Sequence, residues 1–200
     1  MDTVRLFSSF VSIALNIYLW VHIAAMLLSW VRADENNLLV QIVNRLTHPL
    51  WNWVGFHLPF RFRYISAYGA ILVVLFAQIF LPGAIRSIGA GFLQLADIPQ
   101  TTVSIVVYAL FALLMVSYQL IHFILILSVI WFILTLVNPP LNNPIVQTIM
   151  LIVDPLITPL QRVLPRTSID LSPLALAVIT YFLGNFLSAF ATRLQPYLIS

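Results

Sequence analysis

The chain has no cysteine and no lysine, and charged residues make up only 8% of its 200 residues. Without cysteine it has no disulfide, no thiolate nucleophile and no cysteine-ligated metal centre. Its nine basic residues are all arginines, and they do not form the basic stripe that nucleic acid binding requires. We therefore expect no nucleic acid partner.

Hydrophobic residues make up 62% of the chain, and the mean hydropathy is +1.03. A bilayer is crossed by about 20 apolar residues in a helix, and four runs approach or exceed this length. The first run is too long for a signal peptide, so we expect it to be retained. The third run contains no polar loop and is expected to form one long helix. The spans are predicted at residues 7–31, 65–81, 101–137 and 171–190.

The loop after the first span contains an amphipathic segment. Its apolar residues, Leu39, Ile42, Val43 and Leu46, recur at helical spacing, with polar residues on the other side. We expect this helix to lie flat among the lipid headgroups and to end at Pro49. The second span is expected to end at Pro82-Gly83, before a connector at residues 82–100.

The arginines give a predicted orientation. Six of them lie in the two large loops, whereas the termini and the connector hold three. The positive-inside rule then places the large loops in the cytoplasm and both termini outside.

Shifting the chain by 106 residues aligns its two halves. The shift pairs Asn36-Asn37 with Asn142-Asn143, and Pro49-Leu50 with Pro155-Leu156. Each half contains two spans, so the copies have the same orientation in the membrane. The sequence thus predicts an all-α integral membrane protein with four transmembrane helices in two parallel tandem repeats, each with an interfacial helix in its loop. The repeats are predicted at 7–81 and 101–190.

The second loop contains a group of charges, Asp154, Arg162 and Asp170. They are interpreted either as residues that begin and end helices or as an interaction cluster for a partner protein, a lipid phosphate or an ion. Ser172 is predicted to cap the fourth span, with Pro173 in its first turn, and Asp154 to close the interfacial helix before Pro155. The residues predicted to mark helix starts, helix ends and turns are Pro49, Pro59, Ser66, Pro144, Pro155, Pro165, Ser172 and Pro173.

Two histidines, His22 and His122, are the only titratable side chains predicted deep in the spans. Each can hydrogen-bond to a neighbouring helix, ligate a haem or metal, or take part in proton or ion movement. The two aspartates of the second loop have no positioned histidine or acid partner. We therefore expect no enzyme activity, no catalytic residue, no metal site and no cofactor.

The second loop resembles that of the YggT family of small multipass membrane proteins. The resemblance rests on an N-P turn, D-P-L at 154–156, Pro159, Arg162, Pro165 and I-D-L-S-P at 169–173. It covers the whole chain, because two-domain members of the family have this layout. The first loop departs from the pattern, with His48 in place of Asp154, Phe56 in place of Arg162 and Tyr64 in place of Asp170.

The resemblance implies a bacterial inner-membrane protein. Bacterial relatives are linked to osmotic stress tolerance and potassium uptake, and plastid relatives to cytochrome haem maturation. These links leave three hypotheses open: an organiser of membrane complexes acting through its loops, a component of a potassium or small-solute pathway, and a haem-handling assembly factor. The expected partners are the lipid bilayer and an unidentified membrane protein, and the sequence is compatible with a homo-oligomer.

Overall fold

The computed structural model describes residues 2–30, 34–93, 98–137, 144–164 and 170–198. Throughout these ranges the regular structure is helical. Two short 3₁₀ helices, Phe60–Ile65 and Gln195–Tyr197, accompany the α-helices. The α-helices are α1 (Asp2–Trp30), α2 (Leu38–His57), α3 (Ser66–Phe92), α4 (Ile98–Val137), α5 (Pro144–Val163) and α6 (Ser172–Leu194).

Four helical stretches are long and apolar enough to cross a membrane, which confirms the predicted four spans. They are Asp2–Ser29, Phe60–Phe92, Ile98–Val137 and Ser172–Tyr197. The expectation of one long third span is also confirmed, because α4 continues for 40 residues without a break. The chain is therefore a multi-pass membrane protein.

Three predicted helix ends are wrong, and each involves a proline. Helix α2 continues through Pro49 to His57, α3 continues through Pro82 to Phe92, and α5 continues through Pro155 and Pro159. Asp154 accordingly lies inside α5 and does not close it. A proline inside a helix removes one hydrogen bond, whereas a helix end leaves four carbonyl groups without helical donors. At these four prolines the helix continues.

Two compact units divide the described chain, and the first is formed by residues 1–113 together with 194–200. In this unit α1 packs along α3, and α2 contacts both helices. Val4, near the start of α1, faces Gly89, near the end of α3, so the two helices are antiparallel. A buried hydrogen bond of 2.9 Å between the hydroxyls of Ser87 and Ser104 joins α3 to α4.

The second unit consists of residues 114–193. Its core combines apolar side chains from α4, α5 and α6. The buried members are Leu127, Ile149, Val153, Ile157 and Leu176. The amphipathic helix α5 is therefore attached to the spans by its buried face.

The burial pattern repeats with the same shift of 106 residues as the sequence. Val40 and its equivalent Val146 are both buried, and so are Thr47 and Val153. Ala70 and its equivalent Leu176 are also both buried, and so are Val74 and Thr180. The tandem repeats thus use the same helix faces for packing.

Helix α2 has three faces, one more than the amphipathic pattern predicts. Val40, Thr47 and Val54 are buried against α1 and α3. The apolar residues Leu39, Ile42 and Leu46 are exposed, and Gln41 and Arg45 lie on a third, polar face. An exposed apolar face is what a helix lying at a membrane surface would direct into lipid.

Candidate functional site

The charged residues of the second loop do not form a paired cluster. Asp154 and Arg162 are both exposed on α5, eight residues or roughly 12 Å apart along the helix axis. Among the residues that the structure describes, neither Asp154 nor Asp170 forms an ion pair with Arg162. The charges of Asp154 and Arg162 are therefore available to a partner.

Asp170 has a different role, since it joins the end of α5 to the start of α6. One carboxylate oxygen, Oδ1, accepts a hydrogen bond of 2.9 Å from the Ser172 backbone N–H. The other, Oδ2, accepts a hydrogen bond of 2.7 Å from the Gln161 side-chain amide. Burial acts to raise the pKa of Asp170, but the hydrogen bonds from Ser172 and Gln161 outweigh it and lower the pKa.

In the first repeat, the equivalent corner, where the interfacial helix α2 meets the start of α3, is held together by packing. Gly55 stands where Gln161 stands in the second repeat, and a Cβ at Gly55 would lie 3.4 Å from the Cβ of Ser66. Tyr64, in place of Asp170, is 79% exposed. Close approach of two small residues therefore replaces the hydrogen-bonded carboxylate, and the two repeats reach the same corner by different chemistry.

The start of α6 differs by one residue from the prediction. The Leu171 carbonyl accepts the first helical hydrogen bond, from Ala175, so Ser172 is the first helical residue and Asp170 supplies the capping oxygen. Ser172 and Pro173 are buried. Of the other residues predicted to mark helix starts, ends and turns, Pro59 precedes the first 3₁₀ helix, Ser66 begins α3 and Pro144 begins α5. Pro165 lies outside the described residues.

His22 is fully buried in the first unit. Its Nδ1 lies 3.0 Å from the Tyr18 carbonyl, which can only accept, so Nδ1 carries the proton. The Tyr18 ring meets the imidazole edge-on at 4.4 Å between centroids. The Tyr18 hydroxyl in turn donates to the Leu46 carbonyl at 3.2 Å. The Tyr18 hydroxyl thus connects α1 to α2, whereas the hydrogen bond of His22 itself stays within α1.

Two buried polar atoms next to this contact have no hydrogen-bond partner among the described residues. They are His22 Nε2, which is an acceptor when Nδ1 carries the only proton, and Trp51 Nε1, which is a donor. The two ring centroids are 6.5 Å apart. An unpaired buried polar atom is costly, and one small molecule that both donates and accepts would satisfy both atoms.

Trp51 also lines a cavity of about 480 Å³ in the first unit. A carboxylate, an amide, an imidazole and a hydroxyl contribute to its wall, from Glu35, Asn44, His48 and Ser29 respectively. The remaining lining residues are Leu28 and Val40. These groups suit a small polar solute or a hydrated cation. Within the described ranges, no group of three or more His, Asp or Glu side chains is positioned to hold a metal ion.

His122 has surroundings unlike those of His22. It is exposed on α4, and its ring lies 5.2 Å from that of Tyr118. The described side chains give it no hydrogen bond within the chain. His122 therefore faces lipid or a partner protein.

Sequence reasoning missed three residues of these sites. Tyr18 precedes His22 by four residues, so its spacing on α1 was a signal that went unused, whereas only the fold brings Trp51 to His22. Gln161 was overlooked beside Arg162, although its amide is the group that binds Asp170. A neutral side chain next to an arginine gives no signal of this kind in a single sequence.

The model of the CCB3/YggT family matches this chain twice, at residues 4–85 and 94–191. A relative in Pseudomonas aeruginosa, "Uncharacterized protein PA0392", is 29% identical over 179 residues, which cover 87% of this chain and 86% of the relative. No solved structure matches. The two family matches cover both repeats, including the interfacial helices.

His22 and His122 form a matched pair for testing the buried contact. We expect His22→Ala to lower the free energy of unfolding by about 2 kcal/mol or more, because it removes a buried ring and the hydrogen bond to Tyr18. His122→Ala should change it by less than about 0.5 kcal/mol, because the side chain is exposed. Unfolding in mild detergent measures both. Equal losses in the two variants would contradict the assigned burial.

The lowered pKa of Asp170 predicts a pH-dependent stability. A carboxyl with a lowered folded pKa stabilises the fold fully above its unfolded pKa, about 3.9, and loses this effect as the pH falls through the folded value. Asp170→Ala should therefore cost about 1 kcal/mol at pH 7, a typical value for a lost helix cap, and less at pH 3. Asp154→Ala, which removes an exposed carboxylate, is the control. A loss equal at both pH values would refute the assignment.

Proposed function

The chain belongs to the CCB3/YggT family, and from this premise we propose that it is a non-enzymatic inner-membrane protein that organises membrane complexes and thereby supports osmotic and ion homeostasis. The observation that carries the proposal is the unpaired charged face of α5. Helix α5 is fixed to the second unit by its apolar side, and it presents charges on the other side.

The attachment of α5 is firm, since Val153 and Ile157 are almost completely buried against the core of the second unit. Asp154 and Arg162 lie away from these residues and are exposed. An exposed arginine on a rigid helix can form a bidentate contact with a carboxylate of a partner protein without reorganising its own backbone. This geometry suits a binding surface.

The corner between α2 and α3 suits anchoring in the membrane interface. Phe56 and Phe60 are 76% and 85% exposed, and the Arg63 guanidinium lies 5.6 Å from the centroid of the Phe60 ring. Aromatic and cationic side chains are enriched at the level of lipid headgroups. We propose that this corner holds the first loop at the membrane surface and that the second loop binds the partner.

The absence of an acid–base arrangement supports a non-enzymatic role. Asp154 and Arg162 are exposed and form no ion pair with each other, and the carboxylate oxygens of Asp170 bind Ser172 and Gln161. None of these three side chains lines the cavity at Trp51 or the one at Arg86. Catalysis requires a positioned nucleophile or base, and the described charges of the second loop include no such pair.

The two alternative functions have weaker support. A potassium or solute pathway is favoured by the polar cavity at Glu35 and Asn44, which would give a cation oxygen ligands. Haem handling would need an imidazole nitrogen that iron can reach. The Nε2 of His22 is buried together with its whole ring. His122 is exposed, but no second ligand is assigned to it.

We propose that the two large loops face the cytoplasm and that both termini are outside, as the arginine distribution indicates. A reporter fused after Ser200 should accordingly give its signal on the outer side of the membrane. A reporter inserted in the first loop, after Asn37, provides the opposite control. A cytoplasmic signal from the fusion after Ser200 would contradict the orientation.

The partner-binding role is tested by comparing arginines of the two loops. We expect Arg162→Ala to weaken growth under osmotic stress and to reduce copurification of partner proteins in mild detergent, because it removes the exposed charge of α5. Arg45→Ala is the matched control, since Arg45 is also exposed on an interfacial helix but has no equivalent of the second-loop motif beside it. The host must be one in which deletion impairs growth.

Two outcomes would contradict the organising role. The first is equal growth and equal copurification for the Arg162→Ala and Arg45→Ala variants. The second is a potassium flux catalysed by the purified protein in liposomes without any partner, which would support the pathway hypothesis.

A further inference from the structure

The first unit contains a second polar cavity, on the side of the membrane away from α2. Its volume is about 420 Å³, and residues of α1, α3, α4 and the C-terminal 3₁₀ helix line it. It reaches along α3 from Gln78 to Arg86, which are 12 and 20 residues after the start of this helix. The interfacial helix α2 packs near that start, at Ser66. The cavity therefore lies toward the end of α3 that is remote from α2.

Arg86 is held in a fixed position on the wall of this cavity. Its Nε donates to the Pro82 carbonyl at 3.3 Å, and its guanidinium carbon lies 5.9 Å from the centroid of the Tyr108 ring. Gly83 lets this ring approach α3, because a Cβ at Gly83 would run into Tyr108. Tyr108 is itself only 5% exposed. The guanidinium therefore rests against a rigid aromatic surface.

The charge of Arg86 has no counter-charge in the part of the chain that the structure describes. Among the residues that the structure describes, no carboxylate forms an ion pair with it. An unpaired arginine at the edge of a span is costly, and such residues usually pair with an opposite charge or reach the headgroups. Besides Arg86 and Tyr108, the cavity has the polar side chains of Ser12, Gln78 and Gln195, all neutral and all able to donate. This set of groups selects an anion.

The position and the apolar wall specify the anion further. Arg86 precedes the end of α3 at Phe92 by six residues, which is roughly 9 Å along the axis and corresponds to the headgroup region of one leaflet. Ile79, Phe111 and Leu198 provide apolar surface beside the polar groups. An arginine fork with adjacent neutral donors matches the geometry of a phosphate group.

We propose that this cavity binds a phosphate group through Arg86, with Gln78 and Ser12 as neutral donors. Two sources offer the same chemistry, the headgroup of an anionic phospholipid and free phosphate. The apolar wall gives a lipid an additional contact, because an acyl chain can lie along Phe111 and Leu198. This site is independent of the partner-binding role proposed for α5, since it uses none of the same residues.

The proposal is tested by native mass spectrometry of the full-length protein in detergent, titrated with short-chain phosphatidylglycerol. Arg86→Gln removes the charge and keeps a hydrogen-bonding side chain. It should weaken lipid binding by about tenfold, the effect of one charge-assisted hydrogen bond of about 1.5 kcal/mol. Arg193→Gln, at an exposed arginine of α6, should bind as the unsubstituted protein does.

A second variant covers the case in which Arg86→Gln misfolds. Gln78→Leu keeps the shape of the cavity wall and the charge of Arg86, and it should weaken binding several-fold with an unchanged melting temperature. Equal lipid binding by the unsubstituted protein, Gln78→Leu and Arg193→Gln would overturn the proposal, whatever the behaviour of Arg86→Gln.

Competition with inorganic phosphate distinguishes the two sources. If millimolar phosphate displaces the lipid, the site also accepts a soluble anion, which supports phosphate recognition by Arg86. If phosphate does not displace it and Arg86→Gln still weakens binding, the lipid itself is the ligand. Binding of phosphatidylglycerol and of an uncharged diacylglycerol with the same affinity would overturn the proposal, because recognition would then owe nothing to phosphate.

Discussion

The structure depends on one constraint: a backbone surrounded by lipid must form its hydrogen bonds within the protein. The helices meet it even where proline occurs. At Pro49 the ring removes the N–H that would bind the Arg45 carbonyl, and α2 nevertheless continues. One residue further on, the Leu46 carbonyl accepts a hydrogen bond from Tyr18 of α1. A side chain from a neighbouring helix thus supports the backbone beside the proline.

The same constraint determines what the sequence could and could not predict. The four spans, the unbroken α4 and the repeat follow from hydrophobic length and spacing, and all three are confirmed. The helix ends at Pro49, Pro82 and Pro155 were predicted wrongly, because a proline within a helix removes one hydrogen bond whereas a helix end leaves four carbonyl groups without helical donors. The role of Asp154, Arg162 and Asp170 as an interaction cluster stays a prediction, but the sequence could not show which of these side chains pair. Pairing depends on side-chain geometry, and Asp170 binds the neutral Gln161 instead of Arg162.

The two repeats conserve packing and diverge in polar chemistry. Equivalent residues such as Val40 and Val146 are buried in both copies. The corner that follows the interfacial helix is closed by Gly55 against Ser66 in the first copy, and by hydrogen bonds to Asp170 in the second. Because packing is satisfied in both copies, the polar positions were free to change. The structural requirement of each repeat therefore leaves its polar surface open to specialisation.

This separation explains why the candidate sites occur once each although the fold occurs twice. The buried pair of His22 and Trp51 has Ser128 and Ile157 at the equivalent positions of the second repeat, where Ile157 is part of the apolar core. Arg162 has Phe56 as its equivalent in the first repeat, where this residue is an exposed aromatic. A polar cavity beside the first interfacial helix and a charged face on the second are therefore different products of one duplicated unit. A function localised in either would need only that copy for its chemistry, with the other copy supplying two further membrane spans.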